Sequence, residues 1–174
     1  MSARGVEWAR TLASYNHWMN ERLYALCADF PDEERKRDRG AFFKSIHGTL
    51  NHLLLGDRIW LGRFVGRPFV VGSLDQELYA DFAELRAERE GTDREIDAWA
   101  ASLAPADFEG TLRYTSLVNP APRSYPFWVA ATHFFNHQTH HRGQLTTLLA
   151  QAGIDPGVTD LIWLPELARA GGSR

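Results

Sequence analysis

Apolar side chains recur at steps of three and four along most of this chain, and that spacing confines it to helices packed face to face. Trp8, Leu12, Tyr15, Met19, Leu23 and Leu26 form one such stripe, on a first helix that should end before Phe30-Pro31. The charged run 32–39 reads as a solvated loop or short turn. A second helix, 41–64, is apolar nearly all round through Leu53, Leu54, Leu55, Ile59, Trp60 and Leu61, so it is either central or shared with a partner chain. Ser73 and Gln76 have the spacing of a capping box and predict the start of a third helix. Its stripe runs through Leu74, Leu78, Leu85, Ile96, Trp99 and Leu103, with Gly91 a candidate break or kink. Residues 105–126 change pattern, with Thr111, Leu112, Tyr114, Leu117 and Val118 before an Asn119-Pro120 turn signal, and predict a long loop or short hairpin. Pro126 then suits the first turn of a fourth helix, 127–152, which Gly153 closes. A helix-like piece at 160–167 precedes a tail expected to be disordered in Gly-Gly-Ser-Arg. The fold class is therefore all-α.

A chain of 174 residues holds one hydrophobic core, and we read 1–174 as a single domain. The net charge of −3 is spread along the chain, unlike the basic footprint that nucleic acid demands. No apolar run approaches the roughly 20 residues of a membrane span, and the N-terminus lacks a signal peptide's apolar core. A cytoplasmic protein with no nucleic-acid or membrane partner is expected. Cys27, the single cysteine, reads as a small buried hydrophobe.

Four of the seven histidines fall within 133–141. At about 100° per residue, His137 and His141 share the inward stripe of Ala130, Phe134, Leu145 and Leu148, and His133 and His140 lie at its rim. Two imidazoles one turn apart can bind one ion through their nitrogens. The alternative is that each is a core histidine bonded to a carbonyl. If an ion is held, another helix must supply a third ligand. His52 suits best, because Ser45, Thr49 and Gly56 on its flank are small enough for close approach to the fourth helix. His47 lies about 140° around from His52, and His17 opposite the first stripe. Asp57 is also about 140° from His52 and is expected to pair with an arginine. Gln144 lies near the histidine stripe, within reach of a ligand or substrate. Arg142 is read as a rim residue like His140, and Trp60, Trp128 and Phe134 as core or pocket wall.

The segments SIHGTLNHLLLGDRIW at 45–60 and NHQTHHRGQ at 136–144 resemble the two signatures of the DinB family, and YNHWMN at 15–20 and TDL at 159–161 sit where its members carry comparable segments. The resemblance implies an up-down four-helix bundle, usually homodimeric, with a divalent metal ion on His52, His137 and His141. Zinc or nickel is the first choice, and iron or manganese would accept the same ligands. Three neutral ligands leave open positions, the arrangement of a catalytic site. By analogy with family relatives, the expected chemistry is transfer of a low-molecular-weight thiol to an electrophilic small-molecule substrate. The alternatives are a hydrolase that activates water at the metal, and a non-catalytic metal-dependent binding or dimerisation module.

Overall fold

A computed structural model describes residues 3–116 and 120–171, and it is mostly helical. Four long helices dominate: α1 (Ala3–Ala28), α3 (Ile46–Phe64), α4 (Phe82–Ser102) and α5 (Phe127–Gln151). Short helices α2 (Asp32–Lys36) and α6 (Pro165–Gly171) and an antiparallel hairpin, β1 (Thr111–Thr115) with β2 (Pro122–Pro126), complete the elements with two 3-10 turns. The expected Asn119-Pro120 turn begins outside the described residues, as do Leu117, Val118 and the tail beyond Gly171. No described helix is long and apolar enough to cross a membrane.

Helix ends follow local chemistry. Ser45 caps α3 by accepting from the Gly48 amide, and Gly153, at φ +83°, ends α5 where a side chain would be strained. The charged run at 32–39 is less solvated than its composition suggests. Within α2, Arg35 is buried and donates to the Cys27, Ala28 and Phe30 carbonyls, closing the C-terminal end of α1. The expected Ser73/Gln76 cap is not used. Gln76 Oε1 instead accepts from the Gly72 amide, and α4 begins at Phe82 under an Asp81 cap. Gly91 does not interrupt α4.

Helix directions follow from which ends meet. Asn16 and Asn20 of α1 bond Asp93 while Arg10 reaches Ala101, so α1 and α4 are antiparallel. His52 meets His141 while Gly56 meets His137, so α3 and α5 are antiparallel too. His47 reaches Tyr79 just before α4 while Arg58 reaches Thr92 and Glu88 within it, so α3 and α4 run the same way. The long helices therefore do not strictly alternate, unlike the up-down course implied by the family resemblance. The physical reason is the connector 65–81. It starts in a close turn at Gly62, where a Cβ would lie 2.6 Å from the Arg67 carbonyl oxygen, and carries the chain back along α3.

Two apolar clusters form the core. One gathers Met19, Leu23, Leu50, Leu54, Leu85, Leu145 and Leu149; the other gathers Ala9, Leu61, Ile96, Trp99, Phe134 and Phe135. Between them on α3, α4 and α5 lies a buried polar layer. Arg89 donates to Asp57 at 2.6 Å and forms an ion pair with Asp93 at 2.8 Å, Gln138 donates to Asp57, Asn16 and Asn20 donate to Asp93, and Arg142 donates to Asn16. All four long helices contribute. The buried face of α1 is consequently shifted from the apolar stripe toward Asn16 and Asn20, and the gap between Leu85 and Ile96 in the α4 stripe is filled by Arg89, Thr92 and Asp93. The apolar sides of α3 are likewise covered within one chain: Leu53, Leu54, Leu55, Ile59 and Leu61 are all buried. These five side chains belong to the core of the single chain, and Trp60 is half-buried.

Candidate metal centre

Helix α3 presents His52, and α5 presents His137 and His141 one turn apart, where the two helices pack. Among the described residues these three are the group of histidine, cysteine or acidic side chains that could hold one ion, with ligand atoms within 4.8 Å of one another. The helices can approach because residue 56 is glycine. A Cβ there would stand 2.7 Å from Cε1 of His137, inside van der Waals contact. Of the small residues on that flank, Gly56 therefore serves the purpose its sequence suggested, while Ser45 caps α3 and Thr49 bonds the Ser45 carbonyl.

The nitrogens are arranged as an ion requires. Nε2 of His141 lies 3.2 Å from Nε2 of His52 and 3.1 Å from Nε2 of His137. Nitrogens about 2.0–2.1 Å from one centre, spread at about 100°, are separated by about this distance. Nδ1 of His52 is 2.9 Å from the Leu74 carbonyl, and Nδ1 of His141 is 2.8 Å from Oε1 of Gln144. Both partners only accept, so each Nδ1 carries the proton and each neutral ring turns a bare Nε2 lone pair inward. Two lone pairs facing at 3.2 Å with no proton between them repel, and a shared cation removes that repulsion. The donor set fits a divalent metal.

Electrostatics keep the rings neutral. Burial, aided by its neighbour His141, lowers the His52 pKa to about 4. Burial and the surrounding histidines lower that of His137 to about 3, and His141 is lowered chiefly by burial. Nδ1 of His137, against Gly56, is buried without a hydrogen-bond partner among the described residues, so packing orients this ring.

Outer contacts come largely from the connector and were not legible as site residues. Asn51 accepts from the Leu78 and Tyr79 amides and donates to the Tyr79 carbonyl, anchoring the segment that offers the Leu74 carbonyl to His52. A carbonyl has no sequence signature. Phe43 stacks on His52 at 3.7 Å between centroids, held by a tight turn in which Lys44 takes φ +64°. The sequence signs of that turn are Gly40, at φ +71°, and Gly48, where a Cβ would collide with the Phe43 carbonyl oxygen.

The remaining candidates separate cleanly. His17 pairs with Asp97 at 2.6 Å and His47 bonds the Tyr79 carbonyl, both away from the cluster. Gln144 touches a candidate ligand, as its position suggested. Asp57 pairs with Arg89 as expected and is not directed at the histidines. Arg142 is not a rim residue: it is buried against Asn16 and the Tyr15 ring, because α5 is covered by α1 on that side. His133 and His140 are exposed, Phe134 is core, Trp128 is exposed and Trp60 lines a cavity. Cys27 is fully buried, which pushes its thiol pKa up to about 12.

Comparison with known proteins agrees with this geometry. A curated relative, Protein DinB of Bacillus subtilis (strain 168), is 26% identical over 159 residues, covering 88% of this chain and 91% of its own length. The DinB family model matches residues 1–172, nearly the whole sequence that folds around the three histidines, and on that match the chain belongs to the DinB family.

Proposed function

We propose that this protein is a metal-dependent enzyme in which His52, His137 and His141 hold one divalent ion and a small thiol is transferred to an electrophilic substrate. The observation that carries the metal reading is the convergence of Nε2 atoms from rings whose Nδ1 protons are held by Leu74 and Gln144. Burial keeps the rings unprotonated at neutral pH, and Phe43 covers one face of His52. A bound zinc or nickel ion would supply positive charge that three neutral imidazoles leave uncompensated, which favours an anionic sulfur over neutral water. Transfer is preferred to hydrolysis because the nearest carboxylate along α3, Asp57, is committed to Arg89 and Gln138 and is not placed to act as a base. The working unit is taken as one bundle of four long helices, a single cytoplasmic domain. A homodimer is part of the reading on family resemblance, since the apolar sides of α3 are already covered.

Protein purified without tag or chelator should carry about one divalent ion per chain. His52→Ala, His137→Ala and His141→Ala should each lose it, and His17→Ala and His47→Ala should keep it. With cobalt bound, glutathione or cysteine should add an intense near-ultraviolet band in the wild type and not in His137→Ala. Metal content below about a tenth of an equivalent after reconstitution ends the metal reading. A cobalt spectrum indifferent to thiols, with activated esters hydrolysed in their absence, replaces transfer by hydrolysis.

A further inference from the structure

The end of α3, the start of the connector and β1 enclose a cavity of about 470 Å³, lined among others by Ile59, Arg63, Pro68, Phe69, Arg113 and Tyr114. Local chemistry shapes it. Ile59 and Arg63, one turn apart on α3, share a face, and Gly62 lets the connector turn in close, since a Cβ there would stand 2.9 Å from the Phe69 nitrogen. Ile59, Pro68, Phe69 and the Tyr114 ring supply apolar wall. The charged residues along the lining are the two arginines, with no acidic residue among them. The volume falls in the range of small-molecule pockets.

Arg63 is held in place by stacking, with its guanidinium carbon 4.1 Å from the Tyr114 centroid and 4.5 Å from that of Trp60. Stacking engages the face of a guanidinium and leaves its N–H edge, which takes a carboxylate through two parallel bonds. The side chain is half-buried, and burial lowers its pKa, so the charge is carried at a cost. No carboxylate or carbonyl among the described residues offsets that cost. Arg35, Arg58, Arg89 and Arg142, by contrast, each donate to an oxygen within the chain. Arg113 is exposed and likewise meets no acceptor among the described residues, so it adds a second uncompensated positive charge to the same lining. A fixed cation beside apolar wall is complementary to an anion that carries an apolar body.

We propose that this cavity is a binding site for a small organic acid, its carboxylate on Arg63 and Arg113 and its apolar body against Ile59 and Phe69. The site is separate from the three histidines. Trp60, on which Arg63 stacks, lies 4.7 Å from His133, and His133 lies 6.0 Å from His137, so two rings stand between Arg63 and the nearest candidate ligand. The assignment therefore does not depend on the metal-dependent reading.

The probes are 3-phenylpropionate and its neutral isostere 3-phenylpropionamide, titrated into metal-free protein and followed by calorimetry and by NMR shifts at Phe69 and Tyr114. The acid should bind saturably and at least about tenfold more tightly than the amide, because hydrogen bonds to a charged group are at stake. Arg63→Gln should remove that preference, and Arg63→Lys should keep part of it, since a point charge replaces a fork. Arg113→Gln, at an exposed position, should weaken binding of the acid by about two- to fivefold and leave that of the amide unchanged. His52→Ala should bind both probes as the wild type does. Equal affinity for the two probes, or an unchanged preference in Arg63→Gln, overturns the proposal. If thermal melts show that Arg63→Gln does not fold, Arg113→Gln decides, and an undiminished preference there overturns it. So does loss of acid binding in His52→Ala, since the carboxylate would then sit at the histidines. If wild-type protein takes up no metal but still binds the acid through both arginines, the metal-dependent reading fails and the cavity assignment stands.

Discussion

Replacing Arg89 by methionine should destabilise the fold by about 3–5 kcal/mol at pH 7, the range for breaking a buried ion pair from one side. Arg89 is 1% exposed and stands between two carboxylates that are themselves 1% and 2% exposed. Removing it leaves Asp57 and Asp93 with no shared cation. The least costly response is for one of them to fold with a proton bound. For a carboxyl whose unfolded pKa is about 3.9, holding a proton at pH 7 costs about 1.4 kcal/mol per pH unit over about three units, or about 4 kcal/mol. The two routes agree. The sign of the pH dependence follows: a carboxyl whose folded pKa is raised contributes stability below its unfolded pKa and loses it as pH rises through the folded one. Burial already raises both groups in the wild type, Asp93 to about 6, and the variant raises them further. The deficit of Arg89→Met should therefore be smaller at pH 5 than at pH 7. Urea unfolding of metal-free wild type and variant at pH 5, 6 and 7 measures it. A deficit below about 1 kcal/mol, or one of equal size at pH 5 and 7, would refute the view that these carboxylates depend on one guanidinium.

Gly56→Ala should lower metal affinity by about tenfold or more, because the new Cβ meets His137 at 2.7 Å, while the better helix propensity of alanine offsets the strain in thermal melts; chelator competition reads the affinity. In metal-free protein, NMR titration should find His52 and His137 neutral until the pH falls to about 4 and about 3. His17 should titrate above its ordinary value: burial lowers its pKa, but the hydrogen bond to Asp97 and the charges of Asp93, Asp97 and Glu21 outweigh that. Its contribution to stability is accordingly present below pH ~6.5 and lost as pH rises through the folded pKa; Asp97→Asn should abolish both the shift and this dependence. Cys27, fully buried with its pKa pushed up to about 12, should react with a thiol reagent only as fast as the chain unfolds, and rapid labelling of native protein would contradict its place in the core.

The sequence by itself determined the helical class, where α1 stops, the bounds of α5 and the placing of His137 and His141 on one inward face. Each is legible for the same reason: it is a periodic or local property, in which side chains three and four apart share a face and a glycine or proline marks a stop. The spacing of His137 and His141 is of this kind, and so is the glycine at 56 that lets α3 approach them. Tertiary structure decided everything that depends on which faces meet. Asn16, Asn20, Arg89, Asp93 and Arg142 carry the composition of a solvated surface, yet they are buried because each finds an opposite partner on another helix. The start of α4 shifted for a comparable reason. The backbone of the preceding connector is needed by Asn51 and His52, so a segment with a capping pattern stays extended along α3. The Leu74 carbonyl, which fixes the tautomer of His52, comes within reach only once the chain has turned back on itself. Periodicity records how one helix divides between core and solvent; hydrogen-bond partners far apart in sequence are chosen by the packing of several helices at once.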